Sequence, residues 1–251
     1  MPSLSAVVIT RNEERHIADC LGTLTWADEI VVLDSCSTDA TVKIAGRFTN
    51  QVHQRAFTNF SDQRNAALML AQSDWILFVD ADERCTPELA KEVRLNIHDR
   101  PDDPDLPRGF WIPRRNFILG KWIKHAGWYP DHQLRLLMRG QASYDATREV
   151  HEFPIVPGKV DYLSNPIIHY NYERLSQLLA KQNYYSTYEA RTMHGKGIRP
   201  KPQNFVLQPV REFKRRYIEW EGYKDGLHGL FLSATMAWFS LVTYVKLARM
   251  W

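Results

Sequence analysis

Residues 73–83 read Ser73-Asp74-Trp75-Ile76-Leu77-Phe78-Val79-Asp80-Ala81-Asp82-Glu83, and this stretch decides the fold. Its five consecutive apolar residues, 75–79, are typical of a short strand that is buried on both faces. Asp80 and Asp82 follow directly, and residues two apart in an extended chain point the same way. Carboxylate oxygens are preferred ligands of Mg²⁺ and Mn²⁺. The stretch predicts a divalent-metal site at the carboxyl end of a strand, where open α/β sheets bind ligands.

The first hundred residues repeat this pattern of an apolar strand that ends in polar residues. Asp is also common as a turn former at strand ends, so the pair at 80 and 82 does not decide alone. Further strands are predicted at 5–10, 29–34 and 49–55, and a later one at 134–138. Helices are predicted after the first strand and at 40–48 and 60–71. Alternating strands and helices predict a mostly parallel, doubly wound sheet with right-handed crossovers.

Four motifs stand in a fixed order at residues 8–14, 32–39, 63–67 and 78–83. Together they resemble the family 2 glycosyltransferases, which have the GT-A nucleotide-sugar-binding fold. The resemblance continues through residues 110–116, 127–136, 150–152 and 168–170, in a pattern similar to the lipopolysaccharide-core β-1,4-glucosyltransferases. It implies a Rossmann-like, mostly parallel sheet with flanking helices and a C-terminal helical appendage. One departure is Cys36, where related chains often have Gly, so we expect a less flexible loop there.

The resemblance implies an inverting transferase that depends on a divalent metal, Mg²⁺ or Mn²⁺. It would move a hexose, with glucose as the first candidate, from a UDP-sugar donor to a lipopolysaccharide-core or lipid-linked saccharide acceptor. Asp82 is the implied direct metal ligand. Asp80 would contact the ribose, or reach the metal through a water molecule.

Donor-binding residues are expected where the first strands end. Their polar groups offer hydrogen bonds to a uracil-type base and a ribose, and an arginine offers charge to a phosphate. For Arg11 and Glu14 a surface pair at a helix start is the alternative, and it is favoured for Glu14. The predicted donor-binding residues are Thr10, Arg11, Asn12, Glu13, Asp34, Ser35, Arg64 and Asp80.

A carboxylate base is expected to take the proton of the acceptor hydroxyl in a single displacement. Glu152 is preferred narrowly, because it lies where the resemblance implies the acidic base motif. Asp131 is the second candidate, in an aromatic, turn-rich loop suited to stacking on a sugar. The alternative for either acid is an ion pair with Arg148 or Arg135.

His169 is the third candidate metal ligand, because it ends an apolar strand-like run after the acceptor region. A histidine in such a run is more often a hydrogen-bonded core residue, and that alternative stays open. Metal binding through thiolates is excluded, since the three cysteines lie on separate segments without a Cys-x-x-Cys pair.

Composition fits a cytoplasmic protein attached to a membrane surface. The 251 residues carry a net charge of +3, and the chain begins almost at once in a strand without a secretory signal. We expect a catalytic domain at 1–172 and a helical region at 173–251. No RNA- or DNA-binding motif accompanies the basic residues, so nucleic acid is not an expected partner.

The helical region holds a candidate membrane element. Residues 227–245 contain no charged side chain, and this length is borderline for a membrane span. A span would leave Lys246 and Arg249 outside, against the positive-inside tendency. We therefore expect an in-plane attachment to the cytoplasmic face of the inner membrane, in which basic residues 214–216 meet anionic head groups. Packing on the catalytic domain, or a homo-oligomer interface, is the alternative.

Two other functions stay open at this point. A nucleotidyltransferase also joins a Rossmann-like sheet to metal-binding carboxylates, but the glycine-rich phosphate loop expected after its first strand does not occur here. A non-catalytic carbohydrate-binding or scaffold protein would have a broken metal pair, whereas Asp80 and Asp82 are both present.

Overall fold

The structure is a computed structural model that describes residues 2–99, 103–145 and 153–251. Its strands are β1 Leu4–Thr10, β2 Glu29–Asp34, β3 Val52–Gln54, β4 Trp75–Asp80, β5 Glu83–Arg84, β6 Gly109–Ile118, β7 Lys121–Trp122, β8 Asp131–Met138, β9 Ser143–Tyr144, β10 Pro154–Ile155, β11 Val160–Tyr162 and β12 Ile167–Tyr172. Its helices are α1 Ile17–Gly22, α2 Thr41–Ala45, α3 Phe60–Leu70, α4 Pro87–Asn96, α5 Leu175–Gly195, α6 Asn204–Lys214 and α7 Leu227–Ala248. A π-helical segment, Arg215–Glu219, and a 3₁₀ turn, Gly222–Asp225, lie between α6 and α7.

The chain divides into two compact units. The first consists of residues 1–114 and 132–169, and the second of residues 115–131 and 170–251. The expected functional boundary at residue 172, between a catalytic domain and a helical region, stays a prediction.

The first unit is built on a mixed sheet with a parallel centre. The strand order is β3-β2-β1-β4-β8-β6-β12-β5, with β11 beside β6. β1 is parallel to β2 and to β4, and β2 is parallel to β3, whereas β8 runs antiparallel to β4. The predicted mostly parallel α/β sheet with flanking helices is confirmed. β3 is shorter than predicted.

The apolar runs of β1 and β4 are buried because both faces of the sheet are covered. Alternate residues enter two separate cores, as the strand period of two requires. Val8, Leu77 and Val79 pack on one face with residues of α1 and α4. Val7 and Phe78 pack on the other face with residues of α3. Each such side chain contributes about 1.5–3 kcal/mol when it is fully buried, so these runs fix the strands that carry the polar ends.

The second unit is helical. Its core joins the end of β6, the start of α5 and α7 through Ile118, Ile123, Leu178 and Leu232. α7 spans the uncharged run of residues 227–245. α6 begins at Asn204 and runs through Pro209 in its interior.

Candidate active site

The strand order places a ligand crevice at the carboxyl ends of β1 and β4. The chain moves from β1 outward to β2 and β3 and then crosses to the other side of β1 to form β4. In open α/β sheets, ligands bind at such a reversal. Thr10 is the register partner of Asp34, and Ile9 is the register partner of Asp80. Thr10 therefore ends the central strand between the two predicted donor-binding aspartates.

Two buried polar atoms at this edge have no hydrogen-bond partner within the described ranges. They are the hydroxyl oxygen of Thr10, a residue that is 3% exposed, and Oε1 of Gln63 on α3. The other end of the Gln63 amide donates to Ser35 Oγ at 3.1 Å. A buried polar atom without a partner costs about 1–3 kcal/mol. A polar ligand at the end of β1 would remove that cost, so this edge is suited to a polar ligand.

The loops that follow β1 and β2 are joined by side-chain hydrogen bonds. Asn12 Oδ1 accepts the Thr38 N–H at 2.8 Å. Asp34, which is fully buried, accepts the Ser37 N–H at 2.7 Å and a contact from Gln54 Nε2 at 3.3 Å. Asn12 and Asp34 were predicted to bind the donor. Their contacts stabilise the loops that would surround a bound donor.

The remaining predicted residues of these loops have separate positions. Arg11 is exposed, and Ser35 is buried at the end of β2. The Glu13 N–H donates to Thr41 Oγ1 at 2.8 Å. Glu14 Oε2 accepts the Ala40 N–H at 3.0 Å, directly before α2. Their donor contacts stay predictions.

Asp80 lies in a cluster of arginines. Arg135 Nη1 on β8 donates to Asp80 Oδ1 at 3.0 Å, and its Nη2 contacts Oδ2. Arg64 Nη2 on α3 donates to Oδ1 at 3.2 Å. Burial alone would raise the pKa of Asp80, but the positive charges of Arg135 and Arg64 outweigh it and hold that pKa well below its ordinary value.

A second carboxylate, that of Glu83, bonds to the Asp80 backbone and shares Arg135 with it. Glu83 is fully buried, and its Oε2 accepts the Asp80 N–H at 2.9 Å. Its Oε1 lies 3.6 Å from guanidinium nitrogens of both Arg114 and Arg135. Burial alone would lower the pKa of Arg135. The negative charges of Asp80 and Glu83 outweigh this effect and raise that pKa above its ordinary value, so the arginine stays charged. The cluster therefore fixes the carboxyl end of β4.

Asp82 and His169 come together as predicted, since Asp82 Oδ2 lies 3.4 Å from His169 Nε2. Pairing of β5 with β12 places His169 opposite Glu83, one residue beyond Asp82. The Asp80 carboxylate already accepts hydrogen bonds from Arg135, so Asp82 is the better candidate for a metal ligand. No group of three His, Cys, Asp or Glu side chains suited to a metal occurs among the described residues. The pair fits a divalent cation that takes its remaining ligands from a diphosphate and water.

The two candidate bases differ in what can be described. Glu152 lies outside the described residues. Asp131, in the second unit, accepts a hydrogen bond from Asn116 Nδ2 at 3.2 Å. Asn116 is fully buried and also donates to the Trp128 carbonyl at 2.8 Å. Asn116 therefore orients the Asp131 carboxylate, as a general base requires.

Aromatic side chains lie in the same unit as this base candidate. The rings of Trp122 and Tyr129 meet edge to face at 5.7 Å between centroids. The guanidinium of Arg115 lies 4.3 Å from the Trp122 ring.

Sequence reasoning gave no role to four residues that shape these sites: Gln63, Glu83, Arg114 and Asn116. It considered Arg135 only as an ion-pair partner of a candidate base, whereas Arg135 pairs with Asp80 and Glu83. All five residues lie inside a quoted motif. Buried charges must be paired. Arginines in the strands that follow the carboxylate motif were therefore the available sign of an ion-pair cluster. Which arginine pairs with which acid depends on strand order, and the sequence does not give the position of β8 beside β4.

Comparisons with known proteins agree with this fold. The family model described as Glycosyl transferase family 2 matches residues 5–133. The lipopolysaccharide core biosynthesis glycosyltransferase LpsC of Rhizobium meliloti (strain 1021) is 27% identical over 250 residues, covering 97% of this chain and 91% of LpsC. The uncharacterized glycosyltransferase RP128 of Rickettsia prowazekii (strain Madrid E) is 30% identical over 268 residues, covering 100% of this chain and 87% of RP128.

Two solved structures share the fold. The mannosyltransferase PcManGT from Pyrobaculum calidifontis, in complex with GDP-Man and Mn²⁺, has a TM-score of 0.54 at 13% identity, covering 99% of this chain and 86% of that one. Residues 1–349 of TarS from Staphylococcus aureus, in complex with UDP-GlcNAc, have a TM-score of 0.50 at 14% identity, covering 98% of this chain and 89% of that one. At sequence identities this low, the similarity shows a shared fold alone.

Proposed function

Because this chain belongs to glycosyl transferase family 2, we propose that it transfers a hexose from a UDP-sugar to a saccharide acceptor of the lipopolysaccharide core, or to a lipid-linked one, with inversion at the anomeric carbon. Glucose is the first candidate for the hexose. The observation that carries the proposal is the pair Asp82 and His169 beside the arginine-held Asp80, at the reversal of strand order. The family favours glycosyl transfer over the nucleotidyltransferase alternative.

The donor diphosphate would meet Asp82 and His169. A bound Mg²⁺ or Mn²⁺ would neutralise the charge that develops on the departing diphosphate. Asp82 and His169 would hold the cation, while Asp80, oriented by Arg135, would face the ribose. Arg64, which donates to Asp80 Oδ1, would add positive charge beside a phosphate of the donor. Mn²⁺ in the PcManGT complex supports a divalent cation.

The nucleotide would lie over the ends of β1 and β2. The Thr10 hydroxyl and Gln63 Oε1 offer hydrogen bonds there, and the joined loops of Asn12 and Asp34 form its border. Arg11, Glu13 and Ser35 complete the proposed donor-binding group. The UDP-GlcNAc complex of TarS supports a uridine nucleotide.

The acceptor hydroxyl needs a base, and two carboxylates are proposed. Asp131 is supported by its hydrogen bond from Asn116, which orients the carboxylate. Glu152 is supported by the motif order of the sequence. Trp122 and Tyr129 suit a sugar ring near Asp131.

A relative supports the proposed acceptor, and α7 supports the proposed location. LpsC acts in lipopolysaccharide core biosynthesis, which supports a core saccharide as acceptor. We propose peripheral attachment to the cytoplasmic face of the inner membrane, supported by α7, which is long and apolar enough to enter a bilayer.

A donor screen tests the proposal. UDP-glucose, UDP-GlcNAc, GDP-mannose, ADP-glucose and dTDP-glucose are added with Mn²⁺ or with EDTA, and the thermal unfolding midpoint is measured. A ligand that binds only the folded protein must raise the midpoint. We expect a UDP-sugar to raise it with Mn²⁺ and much less with EDTA. A protein that responds to no sugar nucleotide, or responds equally with EDTA, contradicts the metal-dependent proposal.

A further inference from the structure

One face of α7 is apolar and exposed over residues 227–238, the first half of the helix. Its members are spaced three or four residues apart, so they share a side of the helix. Leu227 is 83% exposed and Trp238 is 60% exposed. The face consists of Leu227, Leu230, Phe231, Ala234 and Trp238. Contiguous exposed apolar surface of this kind marks an interaction site.

The opposite face of α7 is tied to the polar helix α5. Lys246 Nζ donates to the carbonyl oxygen and Oδ1 of Asn183, both at 2.7 Å, and to Ser186 Oγ at 2.8 Å. Thr243 Oγ1 lies 3.5 Å from Glu189 Oε2. α5 exposes charged side chains such as Arg191 to solvent. If α7 crossed a bilayer with these contacts intact, charges of α5 would enter the hydrocarbon, which is costly.

α6 adds a second exposed apolar face with basic neighbours. No residue of α6 is buried, and Val206, Leu207 and Val210 are exposed. Arg211 and Lys214, also exposed, follow on the same helix. A short helix with apolar residues and basic residues in this arrangement is typical of attachment to a membrane interface. α6 packs against α7, so we call their exposed apolar residues together the α6/α7 face.

The basic residues of 214–216 are not equivalent, which corrects the expectation for Arg216. Its guanidinium is mostly buried, bonds to Glu212 and donates to the Ala126 carbonyl at 2.8 Å. Arg216 therefore holds the second unit together. Arg211 and Lys214 remain exposed, and Lys214 also pairs with Glu219 at 3.2 Å between Nζ and Oε1.

Charge identifies the surface that the α6/α7 face fits. Residues 196–251 contain ten Lys and Arg and four Asp and Glu, a net charge of +6, although the entire chain carries +3. The apolar face thus lies on the positive part of an otherwise acidic protein. A second copy would bring the same positive charge into contact, whereas anionic lipid would neutralise it.

We propose that the α6/α7 face docks in the plane of an anionic lipid surface, with Leu227, Phe231 and Trp238 entering the interface and Arg211 and Lys214 contacting head groups. The inference refines the peripheral attachment proposed above and rests on it. It would keep the enzyme at the surface where a lipid-anchored saccharide is presented.

Vesicle co-sedimentation of the full chain tests this docking. Vesicles of phosphatidylcholine alone are compared with vesicles that contain phosphatidylglycerol as well. We expect binding to the anionic vesicles, weakened but not abolished by high salt, because salt screens the charges and leaves apolar burial. Arg211→Gln and Lys214→Gln should each weaken binding about fivefold.

Matched substitutions test the face itself. Leu227→Glu and Trp238→Glu should each weaken vesicle binding on the order of tenfold or more. Each variant lacks an apolar side chain that would move from water into the lipid interface. Met69→Glu and Leu95→Glu are controls, because these residues of α3 and α4 are 87% and 85% exposed but lie outside the face. The controls should bind vesicles like the unmodified protein.

Three outcomes overturn the inference. The first is no binding of the unmodified protein to anionic vesicles, or binding of Leu227→Glu that equals that of the unmodified protein. The second is a dimer, detected by sedimentation velocity, that Leu227→Glu dissociates while vesicle binding is absent. The third is resistance of the membrane-bound protein to carbonate extraction, which indicates a span. The UDP-glucose and Mn²⁺ thermal shift, measured on the same variants, reports the proposed function separately and should not change.

Discussion

At the scale of single residues, Cys36 lies in a backbone conformation that favours glycine. Its φ is +57°, in the left-handed region, within the loop that follows Asp34. For a residue with a Cβ this conformation costs about 1–2 kcal/mol, whereas glycine loses about 0.5–1 kcal/mol through the freedom of the unfolded chain. The expectation that Cys at this position restricts the loop now has a geometric reason.

We predict that Cys36→Gly raises the free energy of unfolding by up to about 1 kcal/mol, because strain is removed. Urea unfolding followed by circular dichroism measures the change. Cys36→Ala is the control, since it removes the thiol and keeps the Cβ. Equal stability of the Gly and Ala variants would show that the left-handed backbone is not strained.

The two candidate bases separate at the same scale. Replacing the true base by its amide should leave donor affinity nearly unchanged and lower turnover on the order of a hundredfold or more. Asp131→Asn and Glu152→Gln are compared through UDP release, with an acceptor extract from cells that lack the enzyme. Loss of turnover in Asp131→Asn alone identifies Asp131 as the base, and loss of turnover in Glu152→Gln alone identifies Glu152. Normal turnover in both variants contradicts the proposed base step.

At the scale of elements, the ion cluster between β4 and β8 should make stability depend on acid. The pKa of Asp80 is lower in the folded protein than in the unfolded chain, where it is about 3.9. Its stabilising contribution is therefore complete above the unfolded pKa and is lost as pH falls from about 5 through that value.

We predict that Asp80→Asn flattens this acid dependence. Between pH 5 and pH 3 the unmodified protein should lose up to about 1.4 kcal/mol per pH unit more than the variant, the value for one proton. Urea unfolding in EDTA at several pH values measures both. Identical slopes would mean that Arg135 and Arg64 do not lower the pKa of Asp80.

Much of the fold was predictable at the scale of elements, because continuous apolar runs are unambiguous. β1, β2 and β4 lie where the apolar residues indicated, and their polar ends meet at one edge because parallel strands run the same way. Asp82 and His169 were named from strand-end positions, and the structure brings them together.

What the sequence could not give depends on pairing between distant strands. The contact of β5 with β12 places His169 beside Asp82, and the contact of β8 with β4 places Arg135 on Asp80. Neither register follows from local periodicity. α6 also continues through Pro209, where packing against α7 rather than local propensity supports the helix.

At the scale of the whole molecule, chemistry and charge are divided along the chain. The carboxylate and arginine cluster belongs to the first unit, and the apolar helices with the net charge of +6 over residues 196–251 belong to the second. The GT-A fold supplies the sheet edge for a nucleotide, and the C-terminal helices supply the proposed lipid contact. Donor binding and membrane attachment should therefore be separable by mutation.

The central claim is that Asp82 couples a divalent cation to the donor diphosphate. Isothermal titration calorimetry of UDP binding, with Mn²⁺ and with EDTA, measures that coupling. Because coupling of two ligands typically changes affinity about 5–150-fold, we predict that Mn²⁺ tightens UDP binding within that range. Asp82→Ala should abolish the gain while the circular dichroism spectrum stays unchanged. Asp105→Ala, which removes an exposed carboxylate elsewhere in the first unit, should keep the gain. An Asp82→Ala protein that folds and still binds UDP more tightly with Mn²⁺ would contradict the account.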